Sequence, residues 1–220
     1  MLDIEKFARL AHSHGVPLVV DNTFATPINC RPIEWGADIV IHSTTKYMDG
    51  HAMTVGGCIV DSGNFDWEAQ HDKYKGLTEP DDSYHGVVYT KQFGRMAYIM
   101  KATAQLMRDL GSIQSPQNAF LINVGLETLH LRMPKHCGNA LKVARYLQAR
   151  EDVAWVNYPG LPGDRYYELA KKYMPIQTKD WTWDIGLNMA GNRGTLDGLP
   201  EGMGVMYVTD VQYAGMQRCV

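Results

Sequence analysis

At 220 residues, the chain can bury a full core, either as one large domain or as one domain with part of a second. A formal charge of -3 with no Lys/Arg-rich block offers nothing to a phosphate backbone and argues against a nucleic-acid partner. Charged residues from the third position onward, and no apolar run of spanning length, argue against an export leader and a membrane span.

Four dispersed cysteines, Cys30, Cys58, Cys137 and Cys219, form no CxxC pair, so neither a zinc site nor a disulfide framework is expected. The expectation is a cytoplasmic protein with reduced thiols and no bound metal.

In chain order, residues 2 to 14 place Ile4, Phe7, Leu10 and Ala11 on one helical stripe, and Gly15 suits a left-handed end to that helix. "VPLVVD" follows as a strand apolar on both faces, and Ala37 to Ile41 as a second, after a connection containing "RPIEWG". Apolar strands alternating with helical pieces predict α/β architecture with a parallel sheet covered on both sides. "MTVGGCIVD", residues 53 to 61, reads as a further strand, and its Gly56-Gly57 pair marks a bulge or a close backbone approach.

Met96 to Leu110 has helical spacing. Ser115 is placed to cap a helix with Pro116 at its first position, running towards Arg132, and Pro134 begins another that ends near Arg150. "DVAWVNYPGLPG" reads as a strand entering a turn-rich loop, and Asp164 as the cap of a short helix, "RYYELAKKYM". Beyond about Lys179 neither period persists. No P-loop, GxGxxG, HExxH or GxSxG occurs.

Two apolar runs open onto polar residues: "PLVV" onto "DNTFATP", and "DIVI" onto "HSTTKY". Ligands of parallel α/β sheets sit beyond the carboxyl ends of the strands, so Asp21 and the Ser43 to Lys46 group are expected to line one crevice. If residues 43 to 46 are extended, Ser43 and Thr45 point to one side and Lys46 to the other. A lysine beside hydroxyls that hold a phosphate, with a carboxylate from a neighbouring strand, is what pyridoxal 5'-phosphate (PLP) requires: a Schiff base at the lysine and a protonated pyridine nitrogen at the carboxylate. The same residues also read as a turn aspartate and a solvated lysine.

"VDNTFATP" and "HSTTKYMDGH" resemble the two best-marked segments of the Cys/Met-metabolism family of PLP enzymes, which includes cystathionine γ-synthase, methionine γ-lyase and O-acetylhomoserine sulfhydrylase. "GGCIVDSGNFDW", "EPDDSYHGVVYT", "LMRDLGSIQSPQNAFLINVGLETLHLRMPKHCGNALKVARYL" and "VNYPGLPGD" are most similar to the sulfhydrylase branch. The resemblance covers about residues 1 to 175. It implies PLP fold type I, aspartate-aminotransferase-like, with a mixed or parallel sheet. Residues 1–150 would be the C-terminal portion of the PLP-binding large domain, 151–175 the start of a small C-terminal α+β domain, and 176–220 an atypical, frameshifted or disordered tail.

Carried over by position, the resemblance implies that Lys46 binds the cofactor covalently, Asp21 pairs with the pyridinium nitrogen, and Ser43 and Thr45 bind the phosphate. Thr23 would lie near the ring or support Asp21, and Asn22 would fix the backbone turn. The implied reaction is γ-replacement of O-acetyl-L-homoserine with sulfide or a thiol, giving homocysteine or methionine, in a homotetramer. Methionine γ-lyase or cystathionine γ-synthase chemistry uses the same residues and remains open, as does an inactive fragment, since family members are about twice as long and supply further cofactor contacts upstream.

Other polar groups read as structural: His12 and His14 as capping or solvated residues, His51 as a hydrogen-bonded loop residue, Asp81-Asp82 as a solvated turn, and Cys137 as helix packing.

Overall fold

A computed structural model describes residues 1–174 and, further on, only the backbone of three short strands. Helix α1 (Ile4–Ser13) starts at Asp3, whose carboxylate accepts from the Lys6 amide, and ends before Gly15, which takes a φ of 60°. Glycine meets that left-handed conformation without a Cβ penalty, so the sequence-predicted stop holds.

Strand β1 (Val19–Asp21) lies parallel to β2 (Ile39–Ser43), and the two are joined through α2 (Thr26–Asn29) and a single 3-10 turn, Pro32–Trp35. Strand β3 (Gly57–Asp61) pairs with β2 antiparallel, giving the order β1-β2-β3. The sheet is therefore mixed: the parallel pairing expected from apolar alternation is confined to β1 and β2. The short 44–56 connection returns β3 alongside β2 as a hairpin-like partner, for which no crossover helix is needed.

The start of β2 is covered on both faces. Val40 packs with Ile4, Cys30, Ala37 and Tyr173, while Ile39 packs on the other side with Trp67, Leu77, Tyr89 and Ala97. Alternation along the strand sends successive side chains to opposite faces, so two separate clusters grip it. Towards the other end the cover thins, and Ile41 and Ile59 are partly exposed.

The helical half comprises α3 (Lys75–Thr78), α4 (Tyr89–Phe93), α5 (Ala97–Lys101) and α6 (Arg108–Leu110), then α7 (Pro116–Leu126), α8 (Leu129–Gln148) and α9 (Tyr167–Tyr173). The helix expected over 96–110 is interrupted by a π-helical segment, Ala102–Met107, between α5 and α6. Ser115 caps α7 as expected, accepting from the Asn118 amide at 3.1 Å.

Pro134 does not begin a helix. α8 starts five residues earlier at Leu129, where the Thr128 carbonyl accepts from the Leu131 and Arg132 amides, and the proline removes only one internal hydrogen bond. Residues 153–157 are not a strand either, because they have no pairing partner among the described residues; Val156 instead packs on Leu141, Ala144 and Leu161. Asp164 accepts from the Tyr166 amide and so closes the turn before α9.

His12 is not a helix cap. Its Nε2 lies 2.7 Å from Asp38 Oδ2, which also accepts from the Leu18 amide, so α1 is tied to the beginning of the strands. Asp81 is less solvated than expected, with Lys101 Nζ 2.6 Å away in a largely buried ion pair.

Residues 1–180 form one unit and 181–220 another. In the second, β4 (Gly191–Arg193), β5 (Thr209–Tyr213) and β6 (Met216–Cys219) form a three-stranded antiparallel sheet. The rest of the tail, including the reading of 176–220 as atypical, lies outside the described residues. No described helix is long and apolar enough to cross a membrane.

Candidate active site

The ends of β1 and β2 are bonded to each other. The Ser43 amide donates to Thr23 Oγ1 at 2.8 Å, and the Asn22 amide donates to the Ile41 carbonyl at 2.9 Å. Since Thr23 Oγ1 accepts from Ser43, its own proton is free for the Asp21 carboxylate, which also accepts from the Thr23 amide at 3.0 Å. The Thr23 hydroxyl and amide together hold the Asp21 carboxyl below its ordinary value against a small opposing effect of burial, with His42 adding a weaker favourable contribution. Asp21 is therefore both a turn residue and a stable anion at the strand mouth.

Asn22 fixes the turn as its sequence position suggests, donating to the Cys30 carbonyl at 2.8 Å from a buried side chain. Behind it, Thr26 is fully buried at a φ of 59°. A β-branched residue in the left-handed region costs about 1–3 kcal/mol. Pro27 bars Thr26 from the ordinary helical conformation, and the Asn22 carbonyl, which accepts from the Thr26 amide at 2.9 Å, holds it in place.

Residues 44–49 form a turn, so the extended geometry supposed for Ser43 to Lys46 does not occur. The Lys46 amide donates back to the Ser43 carbonyl and the Gly50 amide to the Lys46 carbonyl. The two hydroxyls consequently differ. Thr45 Oγ1 donates to the Gly56 carbonyl at 3.2 Å and accepts from the Gly56 amide at 3.0 Å, which locks the turn to the start of β3. Ser43 Oγ has no hydrogen-bond partner among the described residues, and Lys46 is exposed with neither an ion pair nor a hydrogen bond from its amine.

At Gly56 the close approach is of side chains, not backbone: a Cβ there would lie 2.1 Å from Gln114 Oε1 and 2.8 Å from Thr44 Oγ1. Thr44 Oγ1 is itself buried without a partner.

The turn after Lys46 is held by residues that sequence reasoning missed. Asp49 is fully buried. Burial pushes its carboxyl up, but hydrogen bonds from the Met53 and His51 amides, with Thr54 close by, outweigh this and hold it below its ordinary value. His51 is a loop residue as expected, its Nδ1 lying 2.6 Å from the Asp49 carbonyl. Arg132 on α8 donates to the Tyr47 carbonyl at 2.7 Å, and Gly125 on α7 brings helix backbone against the Asp49 carbonyl. These partners lie some 80 residues away in the chain, and no local pattern marks them. Cys137 is buried packing, accepting from Asn29.

The donor set fits PLP. An anionic carboxylate suits a protonated ring nitrogen, an unpartnered primary amine suits an aldehyde, and an unpartnered hydroxyl suits a phosphate.

Residues 1–192 match the family described as Cys/Met metabolism PLP-dependent enzyme. The homocysteine/cysteine synthase of Kluyveromyces lactis is 49% identical over 173 residues, covering 78% of this chain and 39% of its own. The O-acetyl-L-homoserine sulfhydrylase of Leptospira meyeri is 49% identical over 180 residues, with 78% and 40% covered. This chain thus spans about 40% of the length of these curated relatives.

Among solved structures, an O-acetylhomoserine (thiol)-lyase of Campylobacter jejuni, carrying N'-pyridoxyl-lysine-5'-monophosphate, superposes with a TM-score of 0.73 at 38% identity, covering 79% of this chain and 42% of its own. The likeness of fold confirms the α/β class read from the strands. With the family match running through both strand-end segments and over most of its length, this chain belongs to the Cys/Met metabolism family of PLP-dependent enzymes.

Proposed function

We propose that this chain carries the lysine-bearing part of the active site of an enzyme that replaces the acetate of O-acetyl-L-homoserine with sulfide or a thiol, giving homocysteine or methionine. The observation that carries this reading is the exposed, unpartnered Lys46 amine on a tied-down turn next to a strand end whose carboxylate is held ionised. The names of the relatives supply the substrate class, and the pyridoxyl-lysine of the Campylobacter structure supports a lysine as the attachment point.

When bound, PLP supplies an aldehyde that links to amines and a cationic ring that takes up electron density. The Lys46 Nζ would be the attachment point and, when its amine is free and neutral, the base that takes the proton from the substrate α-carbon and returns it. Asp21 keeps a proton on the ring nitrogen, and Thr23 keeps Asp21 anionic and oriented. Ser43 Oγ would donate to the phosphate, while Thr45, whose hydroxyl proton goes to the Gly56 carbonyl, would shape the same turn. Acetate leaves from the γ-carbon, and the sulfur nucleophile adds at that carbon.

Residues 1–150 are assigned to the PLP-binding large domain and 151–175 to the start of the small one. Assembly as a homotetramer and a cytoplasmic setting belong to the same reading, the latter supported by the unpaired thiols of Cys30, Cys58 and Cys137.

The test is to mix the purified chain with PLP, reduce with borohydride and map the labelled peptides. Label confined to Lys46 and lost in Lys46→Ala is expected, with homocysteine formed from O-acetyl-L-homoserine and sulfide. Label scattered over many lysines would overturn the site, and α-ketobutyrate from methionine without homocysteine synthesis would favour the γ-lyase reading.

A further inference from the structure

The turn that bears Lys46 ends with main-chain carbonyls that have no partner within the turn. Lys46 and Thr44 carbonyls are used by the Gly50 and Asp49 amides, at 2.8 and 2.9 Å, which leaves those of Tyr47 and Met48 pointing away. Arg132 meets both. Its Nη1 donates to the Tyr47 carbonyl at 2.7 Å and its Nη2 to the Met48 carbonyl at 3.4 Å. The same guanidinium is anchored from behind, Nη2 donating to the Gly125 carbonyl at 2.8 Å and Nε to Thr128 Oγ1 at 2.9 Å.

One rigid, planar fork thus joins the Lys46 turn to the α7–α8 junction, a task for which a single ammonium lacks the geometry. No carboxylate pairs with Arg132 among the described residues; its Nη donors go to main-chain oxygens and its Nε to the Thr128 hydroxyl. Gly50 confirms how closely the fork lies: a Cβ there would sit 2.4 Å from Arg132 Nη1 and 2.6 Å from Cζ. The turn also abuts Gly125, where a Cβ would meet the Asp49 carbonyl at 2.3 Å.

We propose that Arg132 is a positioning residue for Lys46, clamping the 46–50 turn so that the lysine amine is presented at a fixed height above the Asp21 strand end. Arg132 itself touches only the turn and the helices. The functional half of this proposal rests on Lys46 being the cofactor lysine; the structural half does not.

The experiment uses the full chain and compares wild type with Arg132→Ala and Arg132→Lys. Amide hydrogen exchange without cofactor reads the turn through Asp49 and Gly50, with β2 amides as the internal control. Borohydride trapping at limiting PLP reads the rate of label at Lys46. Loss of charge-assisted hydrogen bonds should speed exchange at Asp49 and Gly50 by about tenfold or more and slow trapping by a similar factor, with β2 unchanged. Arg132→Lys should behave like Arg132→Ala, since charge without the fork does not bridge the two segments.

Wild-type exchange and wild-type trapping in Arg132→Ala would overturn the proposal. Protection lost throughout β2 as well, in both variants, would also overturn it, showing a residue needed for the fold at large. If the wild type takes no label at Lys46, the PLP reading fails, and the exchange comparison alone decides whether Arg132 fixes the turn.

Discussion

The two segments that form the site are held in different ways. The first, following β1, is tied almost entirely by its own neighbours: Asn22 reaches Cys30, Asp21 is bonded by Thr23, and the Thr26 amide bonds back to Asn22. The second, following β2, has local bonds of its own, Thr45 with Gly56 and Asp49 with Met53, but is also held from the far side of the chain, by Gly125 and Arg132. Two hydrogen bonds, from the Ser43 amide to Thr23 Oγ1 and from the Asn22 amide to the Ile41 carbonyl, connect the two at their strand ends. The lesson is one of division: the carboxylate is set by local chemistry, the lysine by tertiary packing in addition.

The comparison breaks most severely at Gly125. An alanine there would place its Cβ 2.3 Å from the Asp49 carbonyl and 2.7 Å from that of Met48, both backbone atoms with no freedom to swing aside. Either the helix or the Lys46 turn must shift, so Gly125→Ala is expected to cost about 3 kcal/mol, roughly 6–10 °C in thermal midpoint. Labelling of Lys46 by PLP should fall as well, while the hydrogen bonds of the 21–30 segment stay intact. A variant with an unchanged midpoint and full label would show that the turn is free of α7.

This division also explains what could be read from sequence alone. Asp21, Asn22 and Thr23 act within a few residues of themselves, and their roles follow from residue type and position at a strand end. Gly15 and Ser115-Pro116 were legible for the same reason, because a left-handed stop and a helix cap are local events. Lys46 could be nominated from its motif, but its environment was misjudged. Extended alternation over 43–46 gave way to a turn because Thr45 bonds to Gly56 and Asp49 to Thr44, and neither bond has a periodic signature. From the sequence, Arg132 marks only the approximate end of a helix, and the fold alone brings it to the Tyr47 carbonyl. The direction of β3 was equally hidden, since an apolar strand carries no mark of which way it will pair.

An intermediate effect is expected at one of the two bonds between the segments. Thr23→Val keeps the shape but removes the hydroxyl that accepts from the Ser43 amide and donates to Asp21, at a cost of about 1–2 kcal/mol. The Asp21 carboxyl, held in wild type below its ordinary value of 3.8, should rise towards that value, as an NMR titration of its side-chain carbon would report. The sign follows from linkage. A depressed carboxyl stabilises the folded state fully above its unfolded value and loses that contribution as pH falls through the folded one. The stability gap between wild type and Thr23→Val should therefore be widest above 3.8 and narrow in acid. A constant gap would mean that Thr23 serves the Ser43 amide alone.

The smallest structural effect, and the finest division, is expected between the two hydroxyls of the second segment. Ser43 Oγ has no partner to lose among the described residues, so Ser43→Ala should leave stability within about 0.5 kcal/mol of wild type. If it holds the phosphate, PLP should nonetheless dissociate about tenfold more readily, as befits one hydrogen bond to a charged group. Thr45→Ala should do the reverse in emphasis: the Gly56 amide loses its partner and the Gly56 carbonyl keeps only the longer bond from the residue 45 amide, so stability falls by about 1–2 kcal/mol before any cofactor is added. Equilibrium dialysis of PLP beside urea unfolding separates the two. Equal losses of stability in both variants would mean that Ser43 is structural, and that phosphate binding must be sought elsewhere on the turn.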